Sequence, residues 1–193
     1  MKISAVLLAG GESRRFGQDK ATFVFDGKPL WKRQLDTLAA VQPDELFVSA
    51  RTDPSWRPNE IGFVQDAPPS RGPISGLVAA FSAMSGSHLL ALAIDLPFMT
   101  SDCLRWLAKQ IDPRSGIVPV VNGKLQPLVA IYPSRAAGIF EEGIKGPDWS
   151  LKSGVHELTL RGMTRDVDVP PENWRLFDNI NRPQDLRRAE GSA

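Results

Sequence analysis

From Val6 to Ala21 the chain reads VLLAGGESRRFGQDKA. An apolar run delivers Gly10 and Gly11, and behind them come Arg14, Arg15, Gly17 and Lys20. Paired glycines let the backbone approach a ligand closely and take torsions that side chains resist. Successive backbone N–H groups in such a loop cradle phosphate, and the cations add charge-assisted hydrogen bonds to its oxygens. A nucleobase could lie against the flat backbone of Leu8, Ala9, Gly10 and Gly11. The pattern is neither GxxxxGK[ST] nor GxGxxG, which would need glycine at Glu12. The plain alternative is a glycine turn carrying solvated arginines.

Three further stretches carry chemistry. Asp95, in IDLP, ends a buried apolar run. A carboxylate there is expensive unless paired or bound to a metal, and facing phosphates it suits Mg²⁺. It could equally form a turn or cap before Pro97. Asp66, ahead of PPSRGPISG, could accept hydrogen bonds from a base edge or a sugar hydroxyl; a loop leading plainly into a helix is the alternative. Asn179 and Asn181 flank Ile180, which puts both amides on one side of an extended segment, although Asn181 could simply cap a last helix. Gln126 and Pro127 could line the same cleft. The GxSxG and HExxH patterns are absent, and Glu141 and Glu142, adjacent on a predicted helix, diverge. The lone Cys103 reads as a small apolar side chain, and His88 and His156 stand far apart.

These residues need elements to hold them. Residues 3–8 are almost continuously apolar and predict a strand buried on both faces. Residues 45–50, 61–65 and 89–94 predict three more strands. After the turn Asp26-Gly27-Lys28, Pro29 opens a helix in which Leu30, Leu35, Leu38 and Val41 recur at near-helical spacing. Residues 73–84 predict a helix with proline first, and 101–111 one capped by Thr100 or Ser101. This alternation implies right-handed crossovers, a mostly parallel sheet and helices on both faces. The second half differs. Residues 117–121 and 128–132 predict a small hairpin about Asn122-Gly123-Lys124. Helices around 135–144 and 148–153, a strand at 164–169 and a final helix from Pro183 follow. Ligands in open α/β sheets bind beyond the carboxyl ends of the strands, and that rule selects residues 9–20, 49–53, 66–72 and Asp95.

With 193 residues, the chain fits one domain of the usual ~100–200. A net charge of +1 argues against a generic binder of nucleic acid or of membrane surfaces. One cysteine excludes an internal disulfide and a cysteine-rich zinc site. No stretch approaches the ~20 apolar residues of a membrane span. The short apolar run near the start reads as a core strand, not a signal peptide, and the expectation is a cytoplasmic protein.

The series LAGGESRRFGQDKA, GKPL, QD with RGPISG, IDLPF, QPLVAIY and DNINRPQDL spans almost the whole chain. It resembles the nucleotidyltransferases that build molybdenum cofactor dinucleotides, and most of all the molybdenum cofactor guanylyltransferases of the MobA family. The resemblance implies a Rossmann-like three-layer α/β/α fold, with a nucleotide-binding half over about 1–100 and an acceptor-binding half over about 101–193. It implies transfer of GMP from GTP to molybdopterin, with Mg²⁺ as cofactor. Molybdoenzymes or other cofactor-biosynthesis proteins are the partners it suggests. Leu8, Ala9 and Gly10 would hold guanine and ribose, and Arg15, Gly17 and Lys20 the phosphates. Asp66 would help bind GTP, Asp95 would hold the metal, and Asn179 and Asn181 would face the pterin. Gly11 after Gly10 favours GTP, since the cytidylyltransferase relatives resemble LAAG there. One departure is Ser49, where the family often has an asparagine that touches the nucleotide. Rival readings are a cytidylyltransferase, a sugar-phosphate nucleotidyltransferase, and a non-catalytic protein that delivers cofactor.

Overall fold

The structure is a computed structural model that describes residues 1–10, 19–68, 70–146 and 150–180. The first strand, β1 (Ile3–Leu8), shows why its residues are apolar on both sides of the pleat. Ala5 and Leu7 join one core cluster while Val6 and Leu8 join the other. A 3-10 turn at Lys20–Thr22 follows. Then β2 (Val24–Phe25) and β3 (Lys28–Pro29) make a minimal hairpin. Its turn residues, Asp26 and Gly27, both have positive φ, as the tightest hairpin turns require. Helix α1 (Leu30–Ala39) starts directly after Pro29 and buries Leu30, Gln34, Leu35 and Leu38.

The alternation continues with β4 (Glu45–Ala50), β5 (Gly62–Gln65), α2 (Pro73–Ala83), β6 (His88–Ala93) and α3 (Ser101–Ala108). Thr100 caps α3 by accepting from the Cys103 N–H at 3.3 Å. The second half supplies β7 (Gly116–Val121), β8 (Lys124–Leu125), β9 (Val129–Pro133), α4 (Ala137–Lys145), α5 (Leu151–Leu160) and β10 (Thr164–Asp168), then a 3-10 segment at Pro171–Phe177.

The main sheet runs β10-β7-β9-β6-β1-β4-β5, with β8 paired to β7. Its neighbours are parallel except where β9 and β8 pair. Helices α1 and α3 cover one face with Leu35, Leu38, Leu104 and Leu107, and α2, α4 and α5 cover the other with Leu77, Phe81, Phe140 and Leu158. Burying each such leucine contributes about 1.5–3 kcal/mol. The layering is the expected α/β/α arrangement. Among the described residues no helix is long and apolar enough to cross a membrane.

Two expectations change. The turn at Asn122-Gly123 does close a hairpin, but its second arm is the two-residue β8. The 128–132 segment does lie antiparallel beside β7, with Ile117 opposite Ile131, and as β9 it also pairs antiparallel with β6, so both arms belong to the main sheet. The fifth helix begins at Leu151 and extends to Leu160, not over 148–153. Its buried positions Val155 and Leu158 continue the apolar stripe past Gly154, which reads as a helix breaker in sequence alone. The helix expected from Pro183 lies outside the described residues.

Candidate active site

The carboxyl ends of β1, β4, β5 and β6 converge. Past β1 the ladder continues, because the Ala9 N–H donates to the Ser49 carbonyl at 2.9 Å. Past β5 the Asp66 N–H donates to the Ala50 carbonyl at 2.9 Å. The Ser49 hydroxyl donates to Asp66 Oδ1 at 2.6 Å. Gly10 lies so near that a Cβ there would collide with the Asp66 carboxylate. Glycine is therefore required by close approach. Gly72 then takes φ +68° to launch α2 through Pro73, leaving the first helical N–H groups uncapped by a side chain. A cavity of about 630 Å³ opens here, lined among others by Ala9, Gly10, Asp19, Arg51, Thr52 and Trp56.

Lys20 is brought in by its own turn. Asp19 Oδ1 accepts from the Ala21 N–H at 3.0 Å, and Asp19 Oδ2 accepts from the Trp56 indole N–H at 2.8 Å. The Trp56 ring stacks on Trp31 of α1, with centroids 5.5 Å apart and planes at 18°. From this braced turn Lys20 Nζ reaches Asp95 Oδ2 at 3.1 Å, two residues beyond the end of β6. The two side chains are 15% and 23% exposed.

Asp95 also anchors the far side. The Ile180 N–H donates to its backbone carbonyl at 2.9 Å, so Asn179 runs beside it. A second cavity of about 910 Å³ is lined by Asp95, Asn122, Gln126, Lys152, Arg175 and Asn179, among others. The buried Tyr132 hydroxyl donates to the Pro127 carbonyl at 2.7 Å and fixes the Gln126-Pro127 corner. Burial pushes the phenol far above its ordinary value, so it stays a neutral donor. Cys103 is no nucleophile, because burial pushes its thiol up to about 11.

Of the residues singled out by sequence, Leu8, Ala9, Gly10, Ser49, Asp66, Lys20, Asp95 and Asn179 gather along this edge. Ser49 is fully buried. Gly11, Arg14, Arg15, Gly17 and Asn181 lie outside the described residues. No group of three His, Cys, Asp or Glu side chains forms a metal cage among the described residues. The arrangement presents two cavities, the smaller bordered by Gly10 and Asp19 and the larger by Asp95, and Lys20, next to Asp19, pairs with Asp95.

Residues 5–148 match the family of MobA-like NTP transferase domains. The chain belongs to that family. A Bacillus licheniformis protein named a probable molybdenum cofactor guanylyltransferase is 31% identical over 98% of this chain and 97% of its own length. One of the same name from Pyrococcus horikoshii is 31% identical over 96% of this chain and 98% of its own. The crystal structure of molybdopterin-guanine dinucleotide biosynthesis protein A from Archaeoglobus fulgidus superposes with a TM-score of 0.73 at 26% identity, covering 100% of this chain and 98% of that one. This member of the MobA-like family is thus a nucleotidyltransferase.

Within that frame, several lining residues escaped the sequence reading. Asp19 falls in the 9–20 stretch, but its partner Trp56, 37 positions away, meets it only in the fold. A tryptophan in the loop directly after a strand that feeds the site was the available signal for Trp56. Lys152 comes from the start of α5, and Trp174 and Arg175 from the 3-10 segment, whose sequence carries no periodic pattern.

Proposed function

We propose that the chain transfers GMP from GTP to molybdopterin, forming the guanine dinucleotide cofactor and releasing pyrophosphate. The observation that carries this reading is the Lys20–Asp95 pair. Asp95 lines the larger cavity, Asp19 lines the smaller, and Lys20, next to Asp19, reaches Asp95. Two ligands held on either side of that pair meet at it. The relatives' shared name supplies the identity of the two ligands.

In this reading Leu8, Ala9, Gly10 and Gly11 hold guanine and ribose, with Ser49 and Asp66 on the same side. Arg15, Gly17 and Lys20 bind the phosphates. Asn179, which lines the 910 Å³ cavity, faces the pterin there, and Asn181 is assigned to the pterin by the resemblance alone. The nucleotide half then covers about residues 1–100 and the acceptor half about 101–193 of one domain, working in the cytoplasm.

The donor set suits Mg²⁺, which takes one or two carboxylates and completes its shell with phosphate oxygens and water. Asp95 offers such a carboxylate with one oxygen already on Lys20, and no three-ligand cage competes among the described residues. Bound there, Mg²⁺ supplies Lewis-acid charge neutralisation. The transfer itself is a displacement. An oxygen of molybdopterin's terminal phosphate forms a bond to the α-phosphorus of GTP. The bond from that phosphorus to the α–β bridging oxygen breaks, and pyrophosphate leaves with the electron pair. The attacking phosphate is already ionised, so no protein base is needed. Lys20 and Arg15 stabilise the charge that moves onto pyrophosphate, and the two cavities fix the reactants in line.

The test is pyrophosphate release with molybdopterin, Mg²⁺ and either GTP, CTP or ATP. Release with GTP alone is expected. Release with CTP makes the chain a cytidylyltransferase, and GTP binding without release makes it a delivery protein.

A further inference from the structure

Ser49 is the penultimate residue of β4, and none of it is exposed. Its side chain is enclosed by the protein. Its hydroxyl is committed to Asp66 Oδ1 at 2.6 Å, while its carbonyl accepts from Ala9. One residue therefore ties the exit of β1 to the exit of β5. The space around it is tight. A Cβ on Gly76 of α2 would stand 2.5 Å from Ser49 Oγ and 2.9 Å from Leu8 Cδ2. A Cβ on Gly10 would collide with Asp66 Oδ2. The carboxylate is thus gripped at Oδ1 by the hydroxyl, while Oδ2 lies against the Gly10 backbone, which lines the 630 Å³ cavity.

We infer that Ser49 is a positioning residue for nucleotide selection: by holding Oδ1 it fixes Asp66 in one rotamer and presents a single oxygen, Oδ2, at Gly10 to a hydrogen-bond donor on the nucleoside. The inference rests on the nucleotide reading given above. Guanine carries adjacent N–H donors on its pairing edge, where a lone fixed acceptor gains a partner. Cytosine's pairing edge carries one amino donor beside two acceptors, so a carboxylate oxygen placed for guanine's adjacent donors meets an acceptor there, and an unpaired buried acceptor is costly. An asparagine in this position would extend an amide of its own. The shorter serine instead acts through its neighbour.

The experiment is calorimetric titration of the full chain with Mg·GTP and Mg·CTP, on wild type, Ser49→Ala, Asp66→Asn and the double variant. Ser49→Cys, which keeps the site filled and replaces the hydroxyl by a weak donor, is the second probe if Ser49→Ala folds poorly. Ser49→Ala is expected to weaken GTP about tenfold and to leave CTP within about twofold, with Ser49→Cys in between. In turnover the loss appears in KM for GTP, with kcat nearly unchanged. In the Asp66→Asn background, Ser49→Ala adds less than about twofold, since the two residues act as one. Wild-type affinity in Ser49→Ala, or a full tenfold loss that persists in the Asp66→Asn background, overturns the inference alone. Absence of GTP binding by wild type overturns the nucleotide reading and this inference with it.

Discussion

An ammonium 3.1 Å from a carboxylate, each at least three-quarters shielded, contributes little to stability when it remains open to water. Partly exposed pairs contribute about 0–1 kcal/mol. Removing a donor from a charge-stabilising site instead costs about 10²–10³ in turnover. The two roles therefore separate cleanly. Lys20→Ala and Asp95→Asn are each expected to lower pyrophosphate release by about 10²–10³-fold, while thermal melting moves by only a few degrees. A melting drop that accounts for the lost activity would make the pair structural. At this scale much was legible. Gly10, Lys20, Asp66 and Asp95 are residue types with few structural uses at strand ends, so their chemistry is visible before their geometry. The role of Ser49 was not. Its burial depends on which way the β4 pleat faces, and its bond to Asp66 crosses 17 positions.

Elements carry the rest of the site. Trp56 braces the turn of Lys20 through one hydrogen bond to Asp19 and one stacked ring. Trp56→Phe keeps a ring over Trp31 and removes the indole N–H. The expected result is a several-fold rise in KM for GTP with unchanged melting, measured by initial rates and by calorimetry. At the other cavity, Ser150 caps α5 by accepting from the Ser153 N–H at 3.1 Å, and it lines the cavity beside Lys152. Ser150→Ala is expected to cost about 1 kcal/mol of stability, read in a denaturant titration. β1 and β4 were legible to the residue: β1 because a run buried on both faces has sharp ends, β4 because Pro43 and Asp44 precede its apolar run and Arg51 follows it. The length of α5 was not, since Gly154 interrupts the apolar stripe that Val155 and Leu158 resume. The 3-10 segment at Pro171–Phe177 escaped for a different reason: so short a helix has no period to detect.

For the whole molecule, the sheet decides what acid does. His88 opens the central strand β6, fully buried, and burial holds its imidazole below the ordinary 6.5 despite the nearby Asp112 carboxylate. The unfolded chain thus binds the proton before the folded one does. Stability from His88 is complete above pH 6.5 and is lost as pH falls toward and through its lowered value. Glu45 is held below its usual value by the Ser4 hydroxyl and by the Ser85 N–H and hydroxyl. Its share is present above the ordinary carboxylate value and fades as pH falls through the lowered one. Melting curves between pH 6.5 and about 5 therefore isolate the histidine. His88→Gln is expected to flatten the decline in that window and leave the more acid decline in place. An unchanged slope would assign the loss to other groups. The overall layering was legible from the alternation of elements, but the placement of β9 was not. Its apolar run suits the arm of a hairpin with β7, which it is, but nothing in that run shows that its other edge pairs with β6.

Five tryptophans are distributed along the chain. One of them, Trp56, stands on the wall of the smaller cavity, and another, Trp174, on the wall of the larger. Each cavity thus contains its own natural fluorophore. Emission from Trp56→Phe and Trp174→Phe variants lets an observer follow, without any label, which substrate docks first and whether the second waits for it. The order of addition becomes an optical measurement that the chain performs on itself.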